Sequence, residues 1–223
     1  MSGKGVVLEY DFTVLNGAEI LFDTARAFLR ELDGIELDFP TECRYLAGND
    51  YQSGFETLFA AVKTKKTAAK AAKDLNDAFR LALDRAVSRS ANAAFRNFVR
   101  ALTERGVKVV IATRADICAD AVRNAFDGLL GETVVLYQEP SVCYGTVKWD
   151  SWRLACVKNR LRPISTLAIA GSGLGVKSAL LAGMRSLGVV NPRVAYQDFG
   201  GANELVEMLD TAAAKKVLSL LRL

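Results

Sequence analysis

The sequence predicts an α/β protein with a three-layer α/β/α core on a parallel sheet and a helical domain inserted after the first strand. A short valine-rich run near the amino terminus predicts a buried strand over residues 6–11. Residues 55–87 contain neither Gly nor Pro and are rich in Ala and charged residues, a composition typical of helices. From residue 94 onward, strand-like and helix-like segments alternate, which indicates a parallel sheet covered on both faces.

The first half of the chain contains the predicted insertion. Apolar residues recur at helical spacing over residues 19–32, and Asp33 and Gly34 predict the end of that helix. A turn-rich passage around Pro40 follows, and residues 55–87 then predict two or three helices. We therefore assign residues 1–15 and 91–223 to the α/β core domain and residues 16–90 to a helical cap domain.

The second half predicts the remaining strands and helices of the core. Its buried apolar runs predict strands over residues 107–114, 132–137, 165–173 and 193–197. Its amphipathic segments predict helices over residues 94–106, 119–126, 149–161 and 176–188, and one or two closing helices over residues 202–223.

Composition excludes several classes of function. The net charge of +4 is too small to indicate nucleic-acid binding, and no apolar run is long enough to span a bilayer. The absence of histidine excludes Ser-His-Asp and Cys-His catalysis and every histidine-ligated metal site. No two cysteines form a C-x-x-C pair, so we expect free thiols at the four positions Cys43, Cys118, Cys143 and Cys156. No signal-type segment opens the sequence, and we expect a cytoplasmic protein.

Polar residues stand where three of the predicted strands end. Glu9 and Asp11 close the first strand, and alternation along a strand would place both carboxylates on one face. Thr113 and Arg114 close the second, and Ser172 stands between two glycines after a later one. Ligands of parallel α/β sheets bind beyond the carboxyl ends of the strands, so these side chains are the candidate site.

The order of these segments resembles the haloacid dehalogenase superfamily, in particular its phosphatase and phosphomutase branch with a helical cap. "VVLEYDFTVLNG" is similar to the first motif of that family, with Glu9 at the nucleophile position and Asp11 at the acid/base position. "VKVVIATR" resembles the second motif, and Lys148 in "GTVKWDSW" stands where the third-motif Lys precedes a helix. "TLAIAGSGLGVKSALLAGM" resembles the fourth motif, with Ser172 in place of the metal-binding Asp.

The resemblance implies a hydrolase that acts on a small phosphorylated metabolite with Mg²⁺. It implies that Glu9 and Asp11 are the catalytic and metal-binding residues. It also implies that the phosphate is bound by four residues, namely Thr113, Arg114, Lys148 and Ser172. A cap of this family would close over the strand ends and exclude water.

The departures from the family motifs predict weak or lost activity. Glu9 is one methylene longer than Asp, Phe12 replaces a Gly that lets the backbone approach phosphate, and Ser172 lacks a carboxylate. A metal-independent dehalogenase is a further alternative, but that branch also needs an Asp nucleophile. The second hypothesis is a non-catalytic pseudoenzyme that binds a phosphorylated ligand or a partner protein.

Each candidate residue also has a structural interpretation. Glu9 could be a rim carboxylate without a role, and Asp11 and Lys148 could form a structural ion pair. Thr113 could close the sheet edge, and Ser172 could be a turn residue. The sequence does not identify the substrate, the partner or the oligomeric state.

Overall fold

The computed structural model describes residues 3–46, 51–62, 64–90, 92–113, 123–138, 149–193 and 195–223. These residues fall into two compact units. The first unit contains the described parts of residues 1–16, 86–141 and 147–223, and the second contains those of residues 17–85. The predicted boundaries of the core at residues 1–15 and 91–223 and of the cap at 16–90 stay a prediction.

A six-stranded parallel sheet forms the centre of the first unit, in the order β3-β2-β1-β4-β5-β6. The strands are β1 Gly5–Glu9, β2 Lys108–Thr113, β3 Val134–Gln138, β4 Thr166–Ala170, β5 Arg185–Val189 and β6 Glu204–Val206. β1 and β4 are buried at every position, because helices cover the sheet and leave no polar face. The predicted parallel α/β sheet is confirmed.

The register of the sheet brings the carboxyl ends of β1, β2 and β4 together. Glu9 pairs with Ala112 of β2, so Thr113 lies one residue beyond Glu9 along the neighbouring strand. On the other side, Leu8 pairs with Ile169 of β4, so Gly171 follows at the same edge.

Helices pack on the sheet in two pairs. In chain order the helices are α1 Tyr10–Thr13, α2 Gly17–Asp33, α3 Phe39–Tyr45, α4 Tyr51–Val62, α5 Ala68–Ser90, α6 Ala93–Thr103, α7 Trp149–Lys158, α8 Gly173–Leu181 and α9 Thr211–Leu221. A 3-10 turn, Pro163–Ser165, precedes β4. Helices α6 and α9 contact each other and the sheet, as do α7 and α8, and these pairs form the outer layers.

The second unit contains α2, α3, α4 and most of α5. Asp38 begins α3 by accepting a hydrogen bond from the Thr41 backbone N–H, and Pro40 occupies the first turn, where no N–H is needed. The fully buried Glu42 of α3 forms an ion pair with Arg26 of α2. A ring contact between Phe28 and Phe59 joins α2 to α4.

Several predicted elements are confirmed by the structure. The helix predicted over residues 19–32 is α2, and Gly34 ends it with a φ of 65°. The helical prediction over residues 55–87 corresponds to two helices, α4 and α5. The strand predictions at 107–114, 132–137 and 165–173 correspond to β2, β3 and β4. Half of the helix predicted at 119–126 lies outside the described residues, and residues 123–125 of the described half are helical.

Other predictions are wrong. The strand predicted over residues 6–11 ends at Glu9, because the next residues turn into α1, where the Thr13 hydroxyl donates to the Glu9 carbonyl at 2.7 Å. The helix predicted over 176–188 ends at Leu181, and Gly183, with a φ of 77°, leads directly into β5. The strand predicted over 193–197 is absent from its described residues, and the closing segment begins with β6 rather than a helix. The turn-rich passage around Pro40 contains α3.

No helix in the described part of the chain is long and apolar enough to cross a bilayer.

Candidate active site

Glu9 is the last residue of β1 and is only 3% exposed. Its Oε2 accepts a hydrogen bond from the Gly171 backbone N–H at 3.3 Å. Burying a carboxylate costs desolvation free energy unless hydrogen bonds replace those lost to water. The Gly171 N–H supplies one such hydrogen bond. Gly171 lies two residues before α8, so the positive end of the helix dipole also favours the negative charge.

Asp11 lies in the helical turn that follows β1 and is 4% exposed. Its Oδ1 accepts a hydrogen bond of 2.8 Å from the hydroxyl of Thr113, the fully buried last residue of β2. The hydrogen bonds of the two carboxylates therefore lead to different neighbouring strands, Asp11 to β2 and Glu9 to the loop after β4. The expectation that both extend from one face of a strand is wrong, because β1 ends before Asp11.

Ser172 begins α8. Its Oγ accepts a hydrogen bond from the Gly175 backbone N–H at 3.0 Å, the arrangement of a helix N-cap. A Cβ at Gly175 would lie 3.2 Å from Glu9 Oε2 and 3.1 Å from Ser172 Oγ. The absence of a side chain at Gly175 therefore leaves room for the carboxylate of Glu9 beside the amino end of α8.

Backbone packing fixes this arrangement. A Cβ at Gly171 would overlap the carbonyl oxygen of Phe12, and a Cβ at Gly173 would overlap the carbonyl oxygen of Asp198. Only glycine allows the loop after β4 to lie this close to the turn that carries Asp11.

The structure brings together four of the predicted site residues: Glu9, Asp11, Thr113 and Ser172. They lie at the carboxyl ends of β1, β2 and β4. Arg114 and Lys148, which were predicted to bind phosphate, lie outside the described residues.

Sequence reasoning missed the residues that hold α8 in place. The Gly173 backbone N–H donates to the Gln197 side-chain oxygen at 2.8 Å, and Lys177 of α8 pairs with Asp198 at 2.8 Å. This pairing, together with the Gly200 backbone N–H, holds the pKa of Asp198 below its usual range. Gln197 and Asp198 lie more than 20 residues from the start of α8, and no sequence motif signals this contact.

The described residues do not fit a magnesium site of the usual kind. Mg²⁺ requires hard oxygen ligands in a near-ideal octahedron. Glu9 and Asp11 supply two carboxylates, but Ser172 uses its oxygen to cap α8. No group of three or more His, Cys, Asp or Glu residues is placed to hold a metal in the part of the chain that the structure describes.

The overall structure resembles several solved structures closely. CbbY from Rhodobacter sphaeroides, solved in complex with xylulose-(1,5)bisphosphate, matches with a TM-score of 0.72 over 94% of this chain and 95% of its own, at 15% identity. A HAD hydrolase, family IA, variant 3, from Entamoeba histolytica matches with a TM-score of 0.72 over 99% and 100%, at 14% identity.

This chain has the haloacid dehalogenase-like fold. The β-phosphoglucomutase of Clostridium difficile has the same haloacid dehalogenase-like fold, with a TM-score of 0.70 over 99% of this chain and 97% of its own, at 12% identity. No protein-family model and no curated protein matches the chain. The likeness at this level of identity concerns the fold, and the site must be interpreted from its own residues.

Proposed function

We propose that the protein binds a small phosphorylated metabolite at the carboxyl ends of β1, β2 and β4 and hydrolyses it slowly, as a phosphatase of the haloacid dehalogenase type. The observation that carries this proposal is the buried hydrogen bond between Thr113 and Asp11, two residues after the buried Glu9. The similar CbbY structures, one with xylulose-(1,5)bisphosphate and one with phosphate, support a phosphorylated ligand.

In the proposed reaction, a carboxylate oxygen of Glu9 attacks phosphorus as the bond from phosphorus to the ester oxygen breaks. Asp11 gives its proton to the departing oxygen and then takes a proton from the water that cleaves the acyl phosphate, which releases phosphate and restores Glu9. Because Thr113 donates to Oδ1 of Asp11, the proton that Asp11 carries belongs on Oδ2. We propose that Arg114, Lys148 and Ser172 bind the phosphate oxygens, and that Thr113 joins them when its single O–H turns from Asp11 to the phosphate.

Two features make the proposed turnover slow. The extra methylene of Glu9 moves the carboxylate by about 1.5 Å relative to Asp, the length of one C–C bond. A displacement of about 1 Å in a reacting group can cost about 100-fold in rate. Ser172 contributes no negative charge, so we propose that Glu9 and Asp11 hold Mg²⁺ only weakly.

The test compares hydrolysis of p-nitrophenyl phosphate by the wild type and by Asp11→Asn. Amide replacement preserves shape but cannot deliver a proton, so we expect the rate to fall to the background. Asp127→Asn is the matched control, because Asp127 is exposed and lies outside the site. Equal rates in the wild type and Asp11→Asn would contradict the phosphatase proposal.

The second candidate function is a pseudoenzyme that binds a phosphorylated ligand or a partner protein without turnover. The N-cap role of Ser172 favours it, because the hydroxyl oxygen is already engaged with the helix backbone and Ser172 supplies no carboxylate ligand for Mg²⁺. This candidate predicts that the wild type and Asp11→Asn hydrolyse the substrate equally slowly, while inorganic phosphate still raises the melting temperature of the wild type.

A paired reversal tests the proposed cause of the weak metal binding. Asp is as good an N-cap residue as Ser, so Ser172→Asp should leave α8 intact. We expect the double variant Glu9→Asp with Ser172→Asp to bind Mg²⁺ more tightly than the wild type in calorimetry. A double variant that remains folded and gains no affinity would show that the site differs from the intact family in more than these two residues.

A further inference from the structure

A second pocket lies at the same edge of the sheet, beyond the carboxyl ends of β5 and β6. Its volume is about 780 Å³, within the range of small-molecule sites. It is lined by the segment after β5, by residues of β6 and the two that follow, and by Asn16. None of the described residues at the Glu9 and Asp11 site lines it, so we treat it as separate from that site.

The walls of this second pocket are mostly apolar. Val190 and Pro192 come from the segment after β5, and Leu205 and Met208 from β6 and the loop after it. Leu205 is 48% exposed and Met208 is 61% exposed. Exposed large apolar side chains around a concave surface mark a site for an apolar group.

The polar groups of the pocket are few and carry one sign of charge. Among the lining residues that the structure describes, Glu207 is the only ionisable one, and Asn16 and Asn191 supply carboxamides. Arg193 donates its backbone N–H to Asn191 Oδ1 but is not a lining residue. Because the described lining contains no cation, the Glu207 carboxylate is expected to repel phosphate and carboxylate groups and to attract ammonium groups.

We propose that the pocket beyond β5 and β6 binds a small amphiphile with an apolar body and a cationic head, such as an arylalkyl amine. The apolar body lies against Val190, Leu205 and Met208, and the ammonium group faces Glu207. This site takes a ligand of opposite charge to the phosphorylated metabolite proposed for the Glu9 and Asp11 site, and it does not depend on that function.

The test uses three probes with the same phenylbutyl body: 4-phenylbutylamine, 4-phenylbutanol and 4-phenylbutyrate. Binding is followed by NMR of ¹³C-methyl methionine. We expect the Met208 signal to shift on titration, while the signal of Met184, which is 3% exposed and lies outside the pocket, stays fixed. The expected order of affinity is amine, then alcohol, then carboxylate.

Variants separate the charge from the cavity. Glu207→Gln should weaken the amine by about twofold to fivefold, the range of an exposed ion pair, and leave the alcohol unchanged. Glu204→Gln is the matched control, because Glu204 begins β6, the strand that Glu207 directly follows, but pairs with Lys216 and does not line the pocket. Ala195→Trp should block all three probes, because Ala195 lines the pocket and is exposed enough to accept a larger side chain.

Three results would each overturn the proposal. The first is a Met208 signal that none of the probes moves. The second is an affinity for the carboxylate equal to that for the amine. The third is binding of the amine that Ala195→Trp, folded as judged by circular dichroism, leaves intact.

Discussion

Replacing Thr113 by Val removes one hydrogen bond from the centre of the proposed active site and changes little else. Thr113 is fully buried, Asp11 is 4% exposed, and the bond between them measures 2.8 Å. Valine has nearly the same shape as threonine, so the substitution creates no sizeable cavity. Removing one partner of a buried hydrogen bond costs about 1 to 3 kcal/mol, and we expect a loss of stability of about 2 kcal/mol.

Urea denaturation followed by tryptophan fluorescence measures this loss of stability in the structural unit that contains Thr113. The two tryptophans of the chain, Trp149 and Trp152, are both in α7, which belongs to the same unit as Thr113. Thr113→Ser is the control, because it keeps the hydroxyl and loses only a methyl group. We expect Thr113→Ser to cost about 1 kcal/mol, close to the value of one buried methyl group. A Thr113→Val variant as stable as Thr113→Ser would refute the assigned hydrogen bond.

Two further predictions concern a close contact and a thiol. In the same urea assay, Gly171→Ala should lower the free energy of unfolding by at least the usual cost of overpacking, about 1 to 3 kcal/mol, because the added Cβ meets the rigid backbone carbonyl of Phe12. Gly131→Ala, with open space around it, is the control. Burial raises the pKa of Cys156 to about 11, against a smaller lowering by a hydrogen bond with Thr166. Iodoacetamide should therefore modify Cys156 very slowly at pH 8 in the native protein and rapidly in urea, as measured by peptide mass spectrometry.

The sequence predicts the centre of the sheet well, because buried parallel strands leave uninterrupted apolar runs. The "VVL" run of β1 and the "VVIA" run of β2 are examples, and the two runs pair with each other as neighbouring parallel strands. The edge of the sheet is harder to predict. In β5, Leu187 continues the apolar spacing of α8, and only the left-handed φ of Gly183 separates the two elements. β6 has only three residues, so its sequence pattern is too short to distinguish a strand from the first turn of a helix.

The sequence predicts that Glu9, Thr113 and Ser172 lie near one another, but it does not predict the geometry of their contacts. Parallel strands end at one edge, so Glu9, Thr113 and Ser172 had to lie near one another once the strands were assigned. Their hydrogen-bond partners are set by the turn after β1 and by backbone contacts between segments far apart in the chain. Gly171 beside Phe12 is one such contact, and the sequence shows only a glycine.

The strand order also has a consequence for how the polypeptide folds during its synthesis. Residue 5 pairs with residue 108 on one side and with residue 166 on the other, so β1 has no neighbour in the sheet until residue 108 has been synthesised. Sheets that depend on such distant pairings form slowly. On the ribosome, the valines of β1 must stay unpaired until β2 has been synthesised, which leaves an extended apolar segment for chaperones to protect.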